Sequence, residues 1–143
     1  MKIVIGCDHA GYDMKEKVKQ YLVNKNYNVS DVGTSSNQSV DYPSYGHEVG
    51  KKVASNNSFK GIVICGSGIG ISIAANKIKG IRAALCTSVE HAEMSRKHNN
   101  ANIVALGSRM TSEKEIFDII DVWLTTEFEG GRHLDRVNMI EYE

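Results

Sequence analysis

The sequence predicts an α/β protein in which a five-stranded parallel sheet lies between two layers of helices, a three-layer αβα sandwich. Short β-branched runs alternate along the chain with longer segments of helical periodicity, which favours right-handed crossovers between parallel strands. The runs IVIC and IVAL are apolar at every position, as in strands that are buried on both faces. A length of 143 residues suits one domain, which we take as residues 1–143.

Strands are predicted at the β-branched runs and helices at the periodic segments between them. Val18, Tyr21 and Leu22 recur at helical spacing in the first helix. In the fifth helix, Ser112 is a candidate N-cap because Glu115 follows it by three residues. The apolar stripe of that helix consists of Ile116, Ile119, Ile120, Trp123 and Leu124. The predicted strands lie near 2–6, 28–32, 61–65, 81–85 and 102–106. The predicted helices lie near 11–25, 44–56, 69–78, 88–98, 112–126 and 131–140.

Composition is that of an ordinary globular protein and excludes several partner classes. Apolar residues make up 41% and charged residues 24%, and 17 basic residues balance 17 acidic ones. We therefore expect neither a nucleic-acid nor a membrane partner. No stretch approaches a membrane span and the run 3–5 is too short for a signal-peptide core, so we expect a cytoplasmic protein.

Three cysteines form an odd set without CxxC spacing, which argues against a disulfide framework or a zinc site and favours a reducing compartment. Cys7 and Cys86 end apolar runs and are interpreted as small core residues.

Candidate functional residues follow the predicted strands, where ligands bind in parallel sheets. The first strand leads into GCDHAG, which places Asp8 and His9 at the edge of the sheet. An aspartate that caps a helix beside a surface histidine is an equally good interpretation of this pair.

The third strand leads into CGSGIG, whose glycines allow backbone N–H groups to approach a ligand at a helix N-terminus. A dinucleotide fingerprint would need glycine where Ile71 stands, and no GK[ST] follows as in a P-loop. The loop suits a small anionic group or a developing oxyanion, although such glycines also serve simple tight turns. Cys65 at its mouth is either a nucleophile or base, or a structural filler.

His98 and Asn99 close the fourth helix, which places them at the opposite edge of the sheet. They could reach the Cys65 site only from a second subunit. His91 and His98 share a helix face without a third ligand, so we expect no metal site. Arg109 returns to the ligand-bearing edge after the fifth strand.

Arg132 and Arg136 lie four residues apart, hence on one helix face, and their guanidiniums suit phosphate oxygens. The alternative is that they pair with Glu129 and Asp135 at the surface.

Taken together, these motifs resemble the ribose-5-phosphate isomerase type B family, which includes galactose-6-phosphate isomerase subunits and allose-6-phosphate isomerases. The resemblance covers nearly the whole chain and rests on seven motifs in order: GCDHAG (6–11), DYP (41–43), CGSGIGISIAANK (65–77), GIRAA (80–84), RKHNNAN (96–102), GSR (107–109) and EGGRHLDRV (129–137).

The resemblance implies a Rossmann-like fold and an aldose–ketose isomerase that interconverts ribose 5-phosphate and ribulose 5-phosphate through a cis-enediolate, without metal or organic cofactor. It implies that Cys65 is the base and that His98, with Ser67 nearby, opens the furanose ring. It also implies a homodimer or dimer of dimers whose sites are shared between subunits.

The substrate-binding residues that the resemblance implies fall into three groups. The loop amides at Gly66, Gly68, Ile69 and Gly70 would stabilise the enediolate. His9, Arg132 and Arg136 would hold the phosphate. The sugar or its phosphate end would contact Asp8, Asn99 and Arg109, with Tyr42 close to the site.

Two positions depart from variants of this family. Many relatives have threonine where Ser67 stands, and the hydroxyl is retained here. Another branch lacks the cysteine and uses a glutamate at the position of Ile71 as base, so the chain is similar to the cysteine-dependent branch. The alternatives left open are an allose-6-phosphate or galactose-6-phosphate isomerase and a non-catalytic sugar-phosphate sensor.

Overall fold

The computed structural model describes residues 1–142 and contains a five-stranded parallel sheet with helices on both faces. The strands are β1 (Lys2–Cys7), β2 (Asn28–Asp31), β3 (Phe59–Cys65), β4 (Ala83–Leu85) and β5 (Ile103–Gly107). The helices are α1 (Tyr12–Asn24), α2 (Tyr42–Ala54), α3 (Ile69–Asn76), α4 (Val89–Lys97), α5 (Glu113–Thr125) and α6 (Arg132–Asn138), and a 3₁₀ turn at His9–Gly11 precedes α1. This architecture confirms the predicted fold class.

The strand order β2-β1-β3-β5-β4 puts the three most buried strands at the centre. All pairings are parallel, and the register aligns Cys7 with Ile64 and Cys65 with Gly107. The carboxyl ends of β1, β3 and β5 therefore lie side by side. After β1 the chain crosses to β2 on one side of the sheet, and after β3 it crosses to the β5 and β4 side. A crevice therefore opens between the carboxyl ends of β1 and β3.

Two apolar layers separate the sheet from its helices. One contains Ile3 and Ile5 of β1 with the apolar stripes of α1, α4 and α5. The other contains Val4 of β1 with α2 and α3, including Val49 and Ile71. Neighbouring β1 residues thus pack into opposite layers, as the alternation of side chains along a strand requires.

Element boundaries differ slightly from the sequence prediction, for local reasons. Helix α2 begins at Tyr42 rather than residue 44 because Pro43 fits the first turn, where no backbone donor is needed. Strand β4 covers only Ala83–Leu85, since the positive φ of +89° at Gly80 and a turn at Ile81 delay its start. Ser112 caps α5 as predicted, accepting a hydrogen bond from the Glu115 amide at 3.3 Å.

The cysteines Cys7 and Cys86 are core residues, as predicted, with 0% and 1% exposure. Burial raises the pKa of each thiol to about 11. Within residues 1–142, every helix is too short or too polar to cross a membrane.

Candidate active site in two halves

A cavity of about 590 Å³ lies at the carboxyl ends of β1, β3 and β5. Most of the predicted site residues line it, together with Ala10 and Met110, which sequence reasoning did not single out. The predicted residues in its lining are Asp8, His9, Tyr42, Cys65, Gly66, Ser67, Ile69, Gly70 and Arg109.

Cys65 ends β3 with its side chain at this cavity, and only 5% of its surface is exposed. The backbone amide of Gly68 donates a hydrogen bond to Cys65 Sγ at 3.1 Å. Gly68 can aim this amide at the sulfur because its φ of +79° lies in the left-handed region that favours glycine. The thiol is thus held against an amide donor at the start of α3, where a negative charge is stabilised.

The glycine loop offers fewer free amides than its sequence suggests. The amides of Gly68 and Ile69 are occupied by Cys65 Sγ and by Ser67 Oγ, the latter at 3.1 Å. The amides of Gly66, Ser67 and Gly70 have no hydrogen-bond partner among residues 1–142. These three are the donors available to an oxyanion.

Because Gly66 and Gly70 have no side chains, two neighbouring side chains can approach the loop closely. A Cβ at Gly70 would lie 2.6 Å from the ring of Tyr42, and a Cβ at Gly66 would lie 3.3 Å from Arg109 Nη1. Tyr42 therefore packs directly on the loop, and the Arg109 guanidinium lies over Gly66. The Arg109 amide is itself fixed to the Gly66 carbonyl at 2.9 Å.

Asp8 and His9 both have structural partners as well as a place in the cavity. Asp8 Oδ1 accepts from the Gly11 amide at 3.1 Å, so the capping interpretation of Asp8 is confirmed. His9 Nδ1 accepts from the Val40 amide at 3.1 Å, which places the ring proton on Nε2. His9 is thereby prepared to donate from Nε2 to an anion.

His98, Asn99, Arg132 and Arg136 do not line this cavity. His98 caps the end of α4, directly before β5, and so lies at the amino end of the sheet, as predicted. The five residues of β5 put roughly 15 Å between the amino and carboxyl ends of the strands. One chain therefore carries two separate halves of the predicted site.

The second half is held together by a contact that the sequence did not reveal. The Glu129 amide donates to the Lys97 carbonyl at 3.1 Å, which brings the segment before α6 to the end of α4. The rings of His98 and His133 then stack at 4.3 Å, with 15° between their planes. Glu129 Oε1 lies 3.9 Å from His98 Nε2 and 3.5 Å from His133 Nε2.

Electrostatically, this half is poor in counter-ions for its arginines. Arg132 and Arg136 are exposed and form no ion pair within residues 1–142, so the alternative pairing with Glu129 and Asp135 is wrong. Desolvation lowers the pKa of His133, and the neighbouring charges of His98 and Arg132 lower it further. His133 was not among the predicted site residues. Its place directly after Arg132 in the motif EGGRHLDRV (129–137) is the one sequence signal that could have marked it as part of this half.

The nitrogens of His98 and His133 and an oxygen of Glu129 all lie within 4.8 Å of one another. A metal ion binds imidazole in the ring plane, at about 2.0–2.1 Å for zinc. Two stacked, nearly parallel rings cannot both direct a lone pair in plane at one ion. The observed arrangement is therefore a stacked pair beside a carboxylate rather than a set of converging ligands.

Comparison with known proteins gives one consistent result. Residues 3–140 match the family described as Ribose/Galactose Isomerase. Ribose-5-phosphate isomerase B of Escherichia coli K12 is 45% identical over 139 residues, covering 97% of this chain and 93% of that protein.

Solved structures agree with this match. A Clostridium thermocellum ribose-5-phosphate isomerase B superposes with a TM-score of 0.96 at 54% identity, covering 98% of this chain and 95% of that one. A Mycoplasma genitalium ribose-5-phosphate isomerase B with bound ribulose-5-phosphate gives 0.94 at 40% identity, covering 97% and 93%. The chain described above belongs to the ribose/galactose isomerase family.

Proposed function

We propose that the protein is an isomerase that interconverts D-ribose 5-phosphate and D-ribulose 5-phosphate through a cis-enediolate. The observation that carries the proposal is Cys65 at the end of β3, held against the Gly68 amide and facing a cavity with three free loop amides. The ribulose-5-phosphate bound to the Mycoplasma genitalium relative supports the choice of substrate.

In the proposed reaction, the Cys65 thiolate removes the C2 proton of the open-chain aldose. The electron pair of that C–H bond forms the C1–C2 double bond of the enediolate, and negative charge moves to the carbonyl oxygen. The free loop amides donate to this oxyanion, whose stabilisation lowers the barrier. A proton then passes from the C2 hydroxyl to the C1 oxygen, and the thiol returns its proton to C1. The electron pair left on the C2 oxygen forms the new carbonyl, which gives the ketose.

Substrate is held by groups from both halves of the site. Arg132, Arg136 and the Nε2–H of His9 bind the phosphate, remote from the reacting carbons, so that binding energy positions C1 and C2 against the sulfur. Contacts to the sugar or its phosphate end come from Asp8, Asn99, Arg109 and Tyr42. The loop residues Gly66 and Ile69 line the cavity, while Gly68 acts through its hydrogen bond to Cys65 Sγ.

Ring opening falls to His98, with Ser67 nearby. Ser67 Oγ accepts from the Ile69 amide, which leaves its hydroxyl proton free to donate. His98 moves a proton between the anomeric hydroxyl and the ring oxygen, which breaks the C1–O4 bond and yields the open chain.

The separation of the halves leads us to propose a homodimer in which each site combines Cys65 of one chain with His98 of the other. Pairs of such dimers would give a tetramer with the same sites. The support is geometric: His98 and Arg132 lie at the edge of the sheet away from Cys65, and neither arginine of α6 has a counter-ion among residues 1–142 of its own chain.

Mixing two inactive variants tests the shared site. Cys65→Ala and His98→Ala chains, unfolded together and refolded, should regain about a quarter of wild-type activity on the cyclic substrate, because half of randomly formed dimers hold one intact site. Each variant refolded alone is the control. Absence of recovery in mixtures that form dimers would contradict a site shared between chains.

The substrate is tested by kcat/KM for ribose 5-phosphate, allose 6-phosphate and galactose 6-phosphate, measured side by side on the purified protein. We expect a clear preference for the pentose phosphate. Preference for a hexose phosphate would keep the chemistry and change the substrate, whereas tight binding of all three without turnover would identify a sensor.

The proposal extends to the whole chain and its compartment. We treat residues 1–143 as one isomerase domain in the cytoplasm. The three free thiols, Cys7, Cys65 and Cys86, support a reducing environment.

A further inference from the structure

A second polar cavity lies at the opposite edge of the sheet from Cys65, where β3 and β4 begin. It has a volume of about 470 Å³, and its lining includes Lys60, Arg82 and Arg96 but no acidic residue. The seven residues of β3 separate it from the Cys65 cavity by roughly 20 Å. The proposed isomerase reaction uses none of these three cations.

The three cations keep donors free for a ligand. Arg96 is only 5% exposed. Its Nε donates to the Thr126 carbonyl and its Nη1 to the Ala101 carbonyl and to Asn100 Oδ1, while Nη2 has no hydrogen-bond partner within residues 1–142. Arg82 uses only its Nε, which donates to two backbone carbonyls at 3.1 and 3.0 Å. Neither the two arginines nor Lys60 forms an ion pair with any residue the structure describes.

The charges face one another across this space. Burial lowers the pKa of Lys60, Arg82 and Arg96. Repulsion between like charges lowers two of these pKa values further: the charge of Arg96 acts on Lys60, and the charge of Arg82 acts on Arg96. The carboxylates of Glu127 and Glu141 act in the opposite direction from outside the cavity. A bound anion would relieve this repulsion where it is greatest.

We propose that this cavity binds a small phosphate-bearing molecule at a site separate from the active site. Guanidinium groups and a lysine ammonium match phosphate oxygens in geometry and charge. The volume exceeds that of a phosphate group, so there is room for an organic part, and Asn57 and Asn100 also line the cavity and bring further polar groups.

The chain contains its own reporter for this site. Trp123 is the only tryptophan, and its ring centroid lies 5.6 Å from Lys60 Nζ and 5.9 Å from Arg96 Cζ. An anion that draws these cations toward itself changes their distance from the indole ring. Inorganic phosphate should therefore produce a saturable change in Trp123 fluorescence that sodium chloride at equal ionic strength does not reproduce.

Variants assign the response to one cavity. The Arg132→Gln/Arg136→Gln double variant, impaired at the proposed active site, should keep the wild-type response. Lys60→Gln should weaken phosphate binding by about tenfold or more, whereas Lys51→Gln, an exposed lysine near the end of α2, should not. Because Lys60→Gln also alters the surroundings of the indole, the same constants are measured by isothermal titration calorimetry.

Three results would overturn the proposal: no saturation by phosphate, an equal response to chloride, or a response lost in the arginine double variant but kept in Lys60→Gln. The last places phosphate only at the active site and leaves the isomerase proposal intact. Conversely, a protein without isomerase activity would still show the Lys60-dependent response, so the two proposals fail separately.

Discussion

Replacing Cys65 with alanine removes the proposed base with little change in shape. The sulfur is the acceptor for the Gly68 amide at 3.1 Å, so the variant leaves one backbone donor at the cavity without its partner. A buried amide that loses its acceptor costs about 1–3 kcal/mol. Since the cavity admits water, we expect the lower part of this range and a melting temperature only a few degrees below wild type.

The effect on rate should be much larger than the effect on stability. A positioned general base contributes about 10²–10⁴-fold, which is roughly 3–5.5 kcal/mol of transition-state free energy. We expect kcat on ribose 5-phosphate to fall by at least this factor. Exchange of the substrate C2 proton with deuterium from solvent should fall in parallel, since both need the same proton transfer.

Binding of the phosphate should survive this substitution, because Arg132 and Arg136 lie at the other edge of the sheet and in the other half of the site. The dissociation constant for ribose 5-phosphate, measured by calorimetry, should change by less than about tenfold. Cys86→Ala is the matched control: it removes another buried thiol and should keep full activity. Retained proton exchange in Cys65→Ala, or complete loss of ligand binding in a folded protein, would refute the assignment of Cys65 as base.

Three further predictions concern stability and thiol reactivity. Gly68→Ala puts a Cβ 2.8 Å from a backbone carbonyl carbon of β5, at a residue with a φ of +79°, and should lower the free energy of unfolding in urea by about 2–4 kcal/mol. Gly80→Ala, whose Cβ would have nothing within 4 Å, should lower it by about 1 kcal/mol. Asp31→Asn leaves the 1%-exposed Lys15 without its 2.9 Å ion pair and should cost about 2–3 kcal/mol. Burial tends to raise the pKa of Asp31, but hydrogen bonds from Lys15 outweigh it and lower the pKa, so the wild-type advantage should persist above pH ~4 and disappear as pH falls further. Because the pKa of Cys86 rises from 9.0 to about 11, its thiolate fraction at pH 8 falls about a hundredfold, and mass spectrometry should show correspondingly slow alkylation in the native protein and fast alkylation after unfolding.

The fold was predictable because local and global signals agree in this chain. The central runs IVIC and IVAL are apolar on both faces, and β3 and β5 occupy the centre of the sheet. Helix α5 has its cap and its apolar stripe where the pattern predicts them. The errors are confined to ends, where Gly80 and Pro43 shift a boundary by about two residues.

The site was predictable only as far as strand ends determine it. Cys65 ends one central strand, and Asp8 and Arg109 come just after the other two, so their convergence follows from parallel topology. Contacts between distant backbone segments left no pattern in the sequence. The Val40 amide that sets the tautomer of His9 and the Glu129–Lys97 hydrogen bond that brings His133 onto His98 are both of this kind.

The separation of His98 from Cys65 within one chain follows from the crossover itself. A helix that connects parallel strands begins near the carboxyl edge of the sheet and must end near the amino edge, where the next strand starts. His98 ends such a helix, so its own fold holds it away from Cys65 in every conformation that keeps β5 in the sheet. The Glu129–Lys97 hydrogen bond keeps the segment before Arg132 at this same end of the strands, so the groups proposed for ring opening and phosphate binding are presented together. In the proposed dimer a second copy completes the site, and weakening dimerisation should therefore reduce ring opening and phosphate binding together.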